Sequence, residues 1–204
     1  MKKLFLLLVV LIASFATYWF VFRAKEDVPD APKQAPLTLK KHSEGFNKSV
    51  DSVVNAYLAM KNAFVEGDTG LAKAATQHFI GILNNFPIDE MKKDTALILA
   101  SVQMDLENIK ANAKSILDQP NITEMRHDFN MVTETMYPSF FTSINYEGPK
   151  LYVENCPMAF ADSISAIWIS NSAEIVNPYL GKNHPTYKAG MLHCGDVKDS
   201  VVAK

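Results

Sequence analysis

Cysteine is the scarcest chemistry-bearing residue in this chain: 204 residues contain two, Cys156 and Cys194. That excludes a disulfide-dense scaffold, a four-cysteine zinc site and a C-x-x-C redox pair. Surplus positive charge is also missing, since 20 basic residues face 22 acidic ones for a formal charge of −2. Residues 1–27 hold four of the basic and two of the acidic side chains, so the remainder carries 16 and 20, a formal −4. No basic face exists to neutralise phosphates, and nucleic acid is excluded as a partner. No G-x-S-x-G elbow and no Gly-rich phosphate loop occurs either. No acid, base and nucleophile set can be assembled, and an enzyme is not expected.

Charge is wholly absent from Leu4 to Phe22, between Lys2–Lys3 and the cluster Arg23, Lys25, Glu26 and Asp27. A run of about 19 residues at about 1.5 Å rise approaches the hydrocarbon core of a bilayer. A cleavable signal has a shorter apolar region, about 7–15 residues. Residues 1–27 therefore read as an N-terminal inner-membrane anchor through residues 4–22. The alternative is a signal that is cleaved to release the chain into the periplasm. The early lysines keep the N-terminus cytoplasmic and place the rest in the periplasm. The three prolines of residues 28–42 make a semi-rigid tether.

Beyond the tether the periodicity is helical. Phe46, Val50, Val53, Tyr57, Met60 and Phe64 recur at three- and four-residue spacings and predict one amphipathic helix. The segment 66–70 stops it. A second helix carries Leu71, Ala75, Phe79, Ile82 and Phe86 and ends before Pro87. Asp89 is the expected cap of a third, with a stripe from Met91 and Thr95 through Ile98 to Ile116. A fourth shows Met125, Phe129, Val132 and Met136, with Pro138 kinking or ending it. Short connections make neighbours antiparallel, so residues 43–146 are expected to form an up-down-up-down four-helix bundle. The fold class is mainly α. Residues 147–204 mix short β-prone runs with turn signals and read as a small irregular or β appendage packed on the bundle, anchored by Trp168, Tyr152 and Tyr179.

A di-iron bundle needs Glu-x-x-His twice, and only Glu124 with His127 fits. Arg126 and His127 read as surface or helix-packing residues, and His42, His78 and His184 as solvated. The appendage is different. Cys156, Met158, Met191, His193 and Cys194 offer thiol, thioether and imidazole with almost no oxygen donors nearby, a set suited to Cu(I) or a similar soft metal ion. Pro157 favours an extended Cys156, which projects Cys156 and Met158 to one side. A helical turn would bring Met191 beside Cys194; a strand would pair Met191 with His193. The competing reading is a Cys156–Cys194 disulfide, which persists in an oxidising compartment and closes a loop worth about 4 kcal/mol on the chain-entropy model. Spacing leaves both open.

The ordered segments LYVENCPMAF, AIWIS, EIVNPYLG and MLHCG resemble the C-terminal signature of a bacterial family of exported proteins of unknown function. Its members also occur fused to, or encoded with, membrane-fusion adaptor subunits of heavy-metal efflux pumps and copper-handling proteins. AYLAMKNAFVEGD and MRHDF are similar to its helical part, so the resemblance spans most of residues 50–198. Its motif falls on Cys156, Pro157, Met158, Asn177, Pro178, Tyr179, Gly181, Met191, Cys194 and Gly195. The resemblance implies a copper or heavy-metal site made by the sulfur residues, and an efflux-pump adaptor or other envelope protein as partner. It also implies that Asn177, Pro178 and Tyr179 form a turn returning the chain to the first cysteine. The chain departs from the family in a longer loop at 182–190 and in His193, which stands where a small polar residue is usual.

Overall fold

The computed structural model describes residues 41–160 and 163–203, together with Phe15 and Tyr18. Apart from Phe15 and Tyr18, the anchor (1–27) lies outside the described residues, as does nearly all of the tether (28–42). Among the described residues no helix is long and apolar enough to cross a membrane.

The first helix, α1 (Glu44–Glu66), starts where the Ser43 hydroxyl accepts the Phe46 N–H at 3.2 Å. It stops at Gly67, whose φ of +70° lets its N–H return to the Ala63 and Phe64 carbonyls. Asp68 caps α2 (Thr69–Asn84). The buried stripe of α2 is Ala72, Thr76, Phe79 and Leu83, rotated from the expected one, and Leu71 is exposed. Thr76 can turn inward because its hydroxyl donates to the Ala72 carbonyl at 2.7 Å.

The third helix begins later than expected. Ile88–Lys93 forms a 3₁₀ turn that buries Met91, and α3 (Ala96–Asp118) is capped by Thr95, not Asp89. Thr95 is thus a cap, exposed, and no part of the stripe. Asn121 caps α4 (Ile122–Thr135) through two N–H bonds. The chain then passes through a π-type turn containing Pro138 and a short α5 (Phe141–Ser143). Each long helix packs on its sequence neighbour.

The C-terminal segment is more regular than expected. Strands β1 (Leu151–Phe160), β2 (Ile164–Ser170) and β3 (Asp196–Val201) form an antiparallel sheet in the order β2-β1-β3. The structure is mainly helical with this small sheet at its C-terminal end. β2 leans on α4 and α1, and helices and sheet share one hydrophobic core. Trp168 and Tyr179 are buried in it, whereas Tyr152 is only half-buried beneath the Lys150 ammonium.

Polar links fasten sheet to helices. The Ile169 N–H donates to the Tyr57 hydroxyl at 3.2 Å, and that hydroxyl meets Thr133 Oγ1 at 2.7 Å. Thr133 in turn donates to the Phe129 carbonyl. Asn130 of α4 accepts the Ile167 N–H at 3.2 Å.

Candidate functional site

Cys156 lies near the middle of β1, opposite Ala166 of β2. Pro157 follows it and cannot donate to a ladder. It is tolerated because β3 stops pairing at Asn155 and the register with β2 slips between Cys156 and Phe160. Cys194 arrives from the other direction on a tight turn. Residues 189–191 make a 3₁₀ turn, and the Cys194 N–H donates to the Met191 carbonyl at 3.0 Å. Gly195 then passes so close to β1 that an added Cβ would lie 2.6 Å from the Asn155 carbonyl oxygen and 2.9 Å from Trp168. Its φ of +138° also requires glycine.

This approach sets the two sulfurs 3.0 Å apart. Both cysteines are free thiols, Cys156 fully buried and Cys194 half-buried. Burial, with the adjoining Cys156 thiol, pushes Cys194 up to about 11. A ligand that needs thiolate must therefore displace its proton.

The NPY turn holds the segment that bears the second cysteine. Asn177 is fully buried; its N–H donates to the Leu192 carbonyl and its Nδ2 to the Cys194 carbonyl, both at 2.8 Å. Its Oδ1 accepts the Tyr179 and Leu180 N–H groups at 2.8 and 3.0 Å. Tyr179 packs on Phe129, Phe160 and Trp168, and its hydroxyl donates to the Ile167 carbonyl.

The remaining predicted ligands are placed less decisively. Met158 and Met191 are half-buried and pack against the core. His193 is exposed, and its Nδ1 lies 2.7 Å from the Ile175 carbonyl, so that nitrogen carries the proton. Among the described residues no three His, Cys, Asp or Glu side chains converge to hold an ion.

Sequence reasoning missed the charged groups around the sheet. Glu154, two residues before Cys156, is fully buried opposite Trp168, and its carboxylate oxygens make no hydrogen bond. Burial raises it to about 7, against the pull of the Lys61 ammonium. Lys61 is itself buried in α1, and burial lowers its pKa. Arg126, read as a surface or helix-packing residue, is 4% exposed. Its Nε donates to the Pro178 carbonyl at 2.8 Å and its Nη2 to the Phe64 carbonyl at 3.0 Å. His42 and His184, expected to be solvated, are half-buried. A charge one position from an apolar one was the only available signal, and periodicity does not report it.

The helices match a family model. Described as a protein of unknown function (DUF3347), it covers residues 53–146, from the middle of α1 to the end of the helical part. The match supports a domain family of unknown function; it spans less than half of the chain and does not reach the cysteines. No curated protein and no solved structure matches the chain.

Proposed function

We propose that this chain is a periplasmic protein, tethered to the inner membrane by residues 4–22, that binds a soft metal ion at the Cys156–Cys194 dithiol. Cu(I) is the ion of choice, and the role is buffering or hand-off to an efflux-pump adaptor or other envelope partner. The helical part supports the site as an up-down-up-down four-helix bundle. The reading is of binding, not catalysis. One observation carries it: two thiols 38 positions apart in sequence meet at 3.0 Å, and one of them is accessible.

Two thiolates around a tetrahedral ion, with metal–sulfur bonds of about 2.3 Å, stand about 3.8 Å apart. The pair needs to open by less than 1 Å by that estimate, and the turn bearing Cys194 is the piece that can move. Loading exchanges the two thiol protons for one Cu(I), leaving a bis-thiolate with one net negative charge. Met158 and Met191, on the same two segments, supply thioethers that need no deprotonation. His193 has Nε2 free as a lone-pair nitrogen while Nδ1 is held by the Ile175 carbonyl, the arrangement that orients ligating imidazoles.

The same 3.0 Å contact favours a second reading, in which an envelope oxidant removes two electrons and two protons and the bridge staples β1 to the turn before β3. The chain would then be a partner-binding module without a ligand. Anaerobic Cu(I) titration of the reduced full chain against a competing chelator separates the two, with Met158→Leu and Met191→Leu alongside. One tight equivalent, weakened at least tenfold by either substitution, supports the metal site. Failure to compete with the chelator, together with no free thiol in protein taken directly from the envelope, leaves the staple.

A further inference from the structure

A second feature lies on the other side of Tyr179. A cavity of about 260 Å³ opens between the start of α4 and the adjoining ends of β1 and β2, lined by Thr123, Arg126, His127, Phe160, Tyr179 and His184 among others. It falls just below the range of about 300–1,000 Å³ that holds drug-sized ligands, so its occupant is small. Among the described residues no carboxylate lines it.

Arg126 forms its floor. Among the described residues no acidic side chain pairs with this guanidinium, and burial alone lowers its pKa to about 10. The Phe64 carbonyl, in the last turn of α1, supplies part of a counter-charge, which explains why an arginine can be buried here. That does not explain the open space beside it. The guanidinium fork carries more N–H donors than the Phe64 and Pro178 carbonyls take up. An unneutralised buried cation beside a cavity attracts an anion.

His184 adds a neutral donor. Its Nδ1 accepts the Thr186 and Tyr187 N–H groups, each at 3.2 Å, so the ring proton sits on Nε2. Desolvation, then Arg126 and Lys188, lowers the ring's pKa and so disfavours a second proton. Among the described lining residues Arg126 is the one permanently charged side chain, which matches a monoanion better than a dianion. Apolar lining comes from Phe160, which lies against the His127 ring with centroids 3.8 Å apart, and from Ile164, which is 55% exposed.

We propose that this cavity binds a small carboxylate bearing an apolar group, its carboxylate at Arg126 and its body along Phe160 and Ile164. The site is independent of the dithiol.

Equilibrium dialysis of labelled benzoate against the purified full chain, at neutral pH and without added metal, tests it. The result expected is saturable binding of one equivalent, weakened at least fivefold in His184→Ala. Ile164→Asp, at an exposed position that leaves the core untouched, weakens it to a similar extent. Unlabelled benzoate displaces the label, whereas benzamide does not and inorganic phosphate is at least tenfold less effective. Absence of saturable binding overturns the proposal. So does binding indifferent to both substitutions, or displacement by benzamide or phosphate as readily as by benzoate. Because no metal enters the assay, its failure says nothing against the dithiol, and failure of the copper titration says nothing against this cavity.

Discussion

Tyr57→Phe isolates the join between helices and sheet. β2 is an edge strand, and its Ile169 N–H finds the Tyr57 hydroxyl of α1 instead of another strand. Thr133 Oγ1 donates to the Phe129 carbonyl, so the Tyr57 hydroxyl donates to Thr133 while accepting from Ile169. Burial holds the phenol well above its usual pKa, so it stays a donor at any working pH. Removing one oxygen therefore deletes two hydrogen bonds and strands a buried N–H. A stranded donor costs about 1–3 kcal/mol and a lost neutral bond about 1 kcal/mol, which puts the expected loss at about 2–4 kcal/mol. Equilibrium urea unfolding reads it directly. Amide exchange supplies the local check: the Ile169 proton should exchange faster in the variant relative to its neighbours in β1. Thr133→Val removes the acceptor from the same chain of bonds. The double variant should lose less than the two single losses together, with a coupling of about 1 kcal/mol. A Tyr57→Phe loss below about 0.5 kcal/mol, or strict additivity with Thr133→Val, refutes the hydrogen-bond relay as the join.

Gly195→Ala should cost at least about 2 kcal/mol, because it combines a positive φ with a contact 2.6 Å from a backbone oxygen. It should also slow Cys156–Cys194 oxidation by a mild oxidant; unchanged stability and unchanged oxidation would each contradict the close approach. Asp105, buried and bonded by the Ser139 hydroxyl, has its pKa raised by burial. An acid raised in the native state keeps its proton after the unfolded chain has lost it, so stability falls as pH rises above the ordinary carboxylate range. Asp105→Asn should remove that decline, and the variant's stability relative to the parent should increase from pH 3.5 to pH 7 in urea titrations. An identical pH slope in the two proteins would count against the burial argument.

The helices were legible because their chemistry is repetitive. The α1 stripe from Phe46 to Phe64 reappears as the buried face, since six apolar positions at one period leave a helix no other rotation. α2 was misread because Leu71 and Ile82 outweigh Ala72 and Thr76 in hydrophobicity. The core at that face, where Tyr57 of α1 meets Phe79, takes the small Ala72 and Thr76 from α2 beside Phe79 and Leu83. The start of α3 was misread because Asp89 and Thr95 both suit a cap; Met91 is buried either way and cannot discriminate between them. In the tail, nothing in the pattern said what the Asn177 side chain would hold. That depended on the Asn177–Cys194 bond, between residues 17 apart that no period connects. Arg126 and His184 escaped for the same reason: their importance lies in what faces them across the fold.

The turn at residues 177–181 ties the two candidate sites to one support. Asn177 holds the carbonyl of Cys194, and the next residue offers its own carbonyl to Arg126. Gly181, at φ +59°, brings the turn so close that an added Cβ would lie 2.7 Å from Arg126 Nη2 and 2.8 Å from the Val65 carbonyl oxygen. Lys182 continues the attachment, its N–H donating to that carbonyl at 2.8 Å. A movement that opens the thiol pair must therefore be taken up by the segment beyond residue 182, because the turn itself is pinned to the end of α1. Residues 182 to 190 are exposed except for half-buried His184, with Lys182 and Asn183 tied to Glu66. Asn177 also holds the Leu192 and Cys194 carbonyls, so a shift of the turn bearing Cys194 has to lengthen those two bonds.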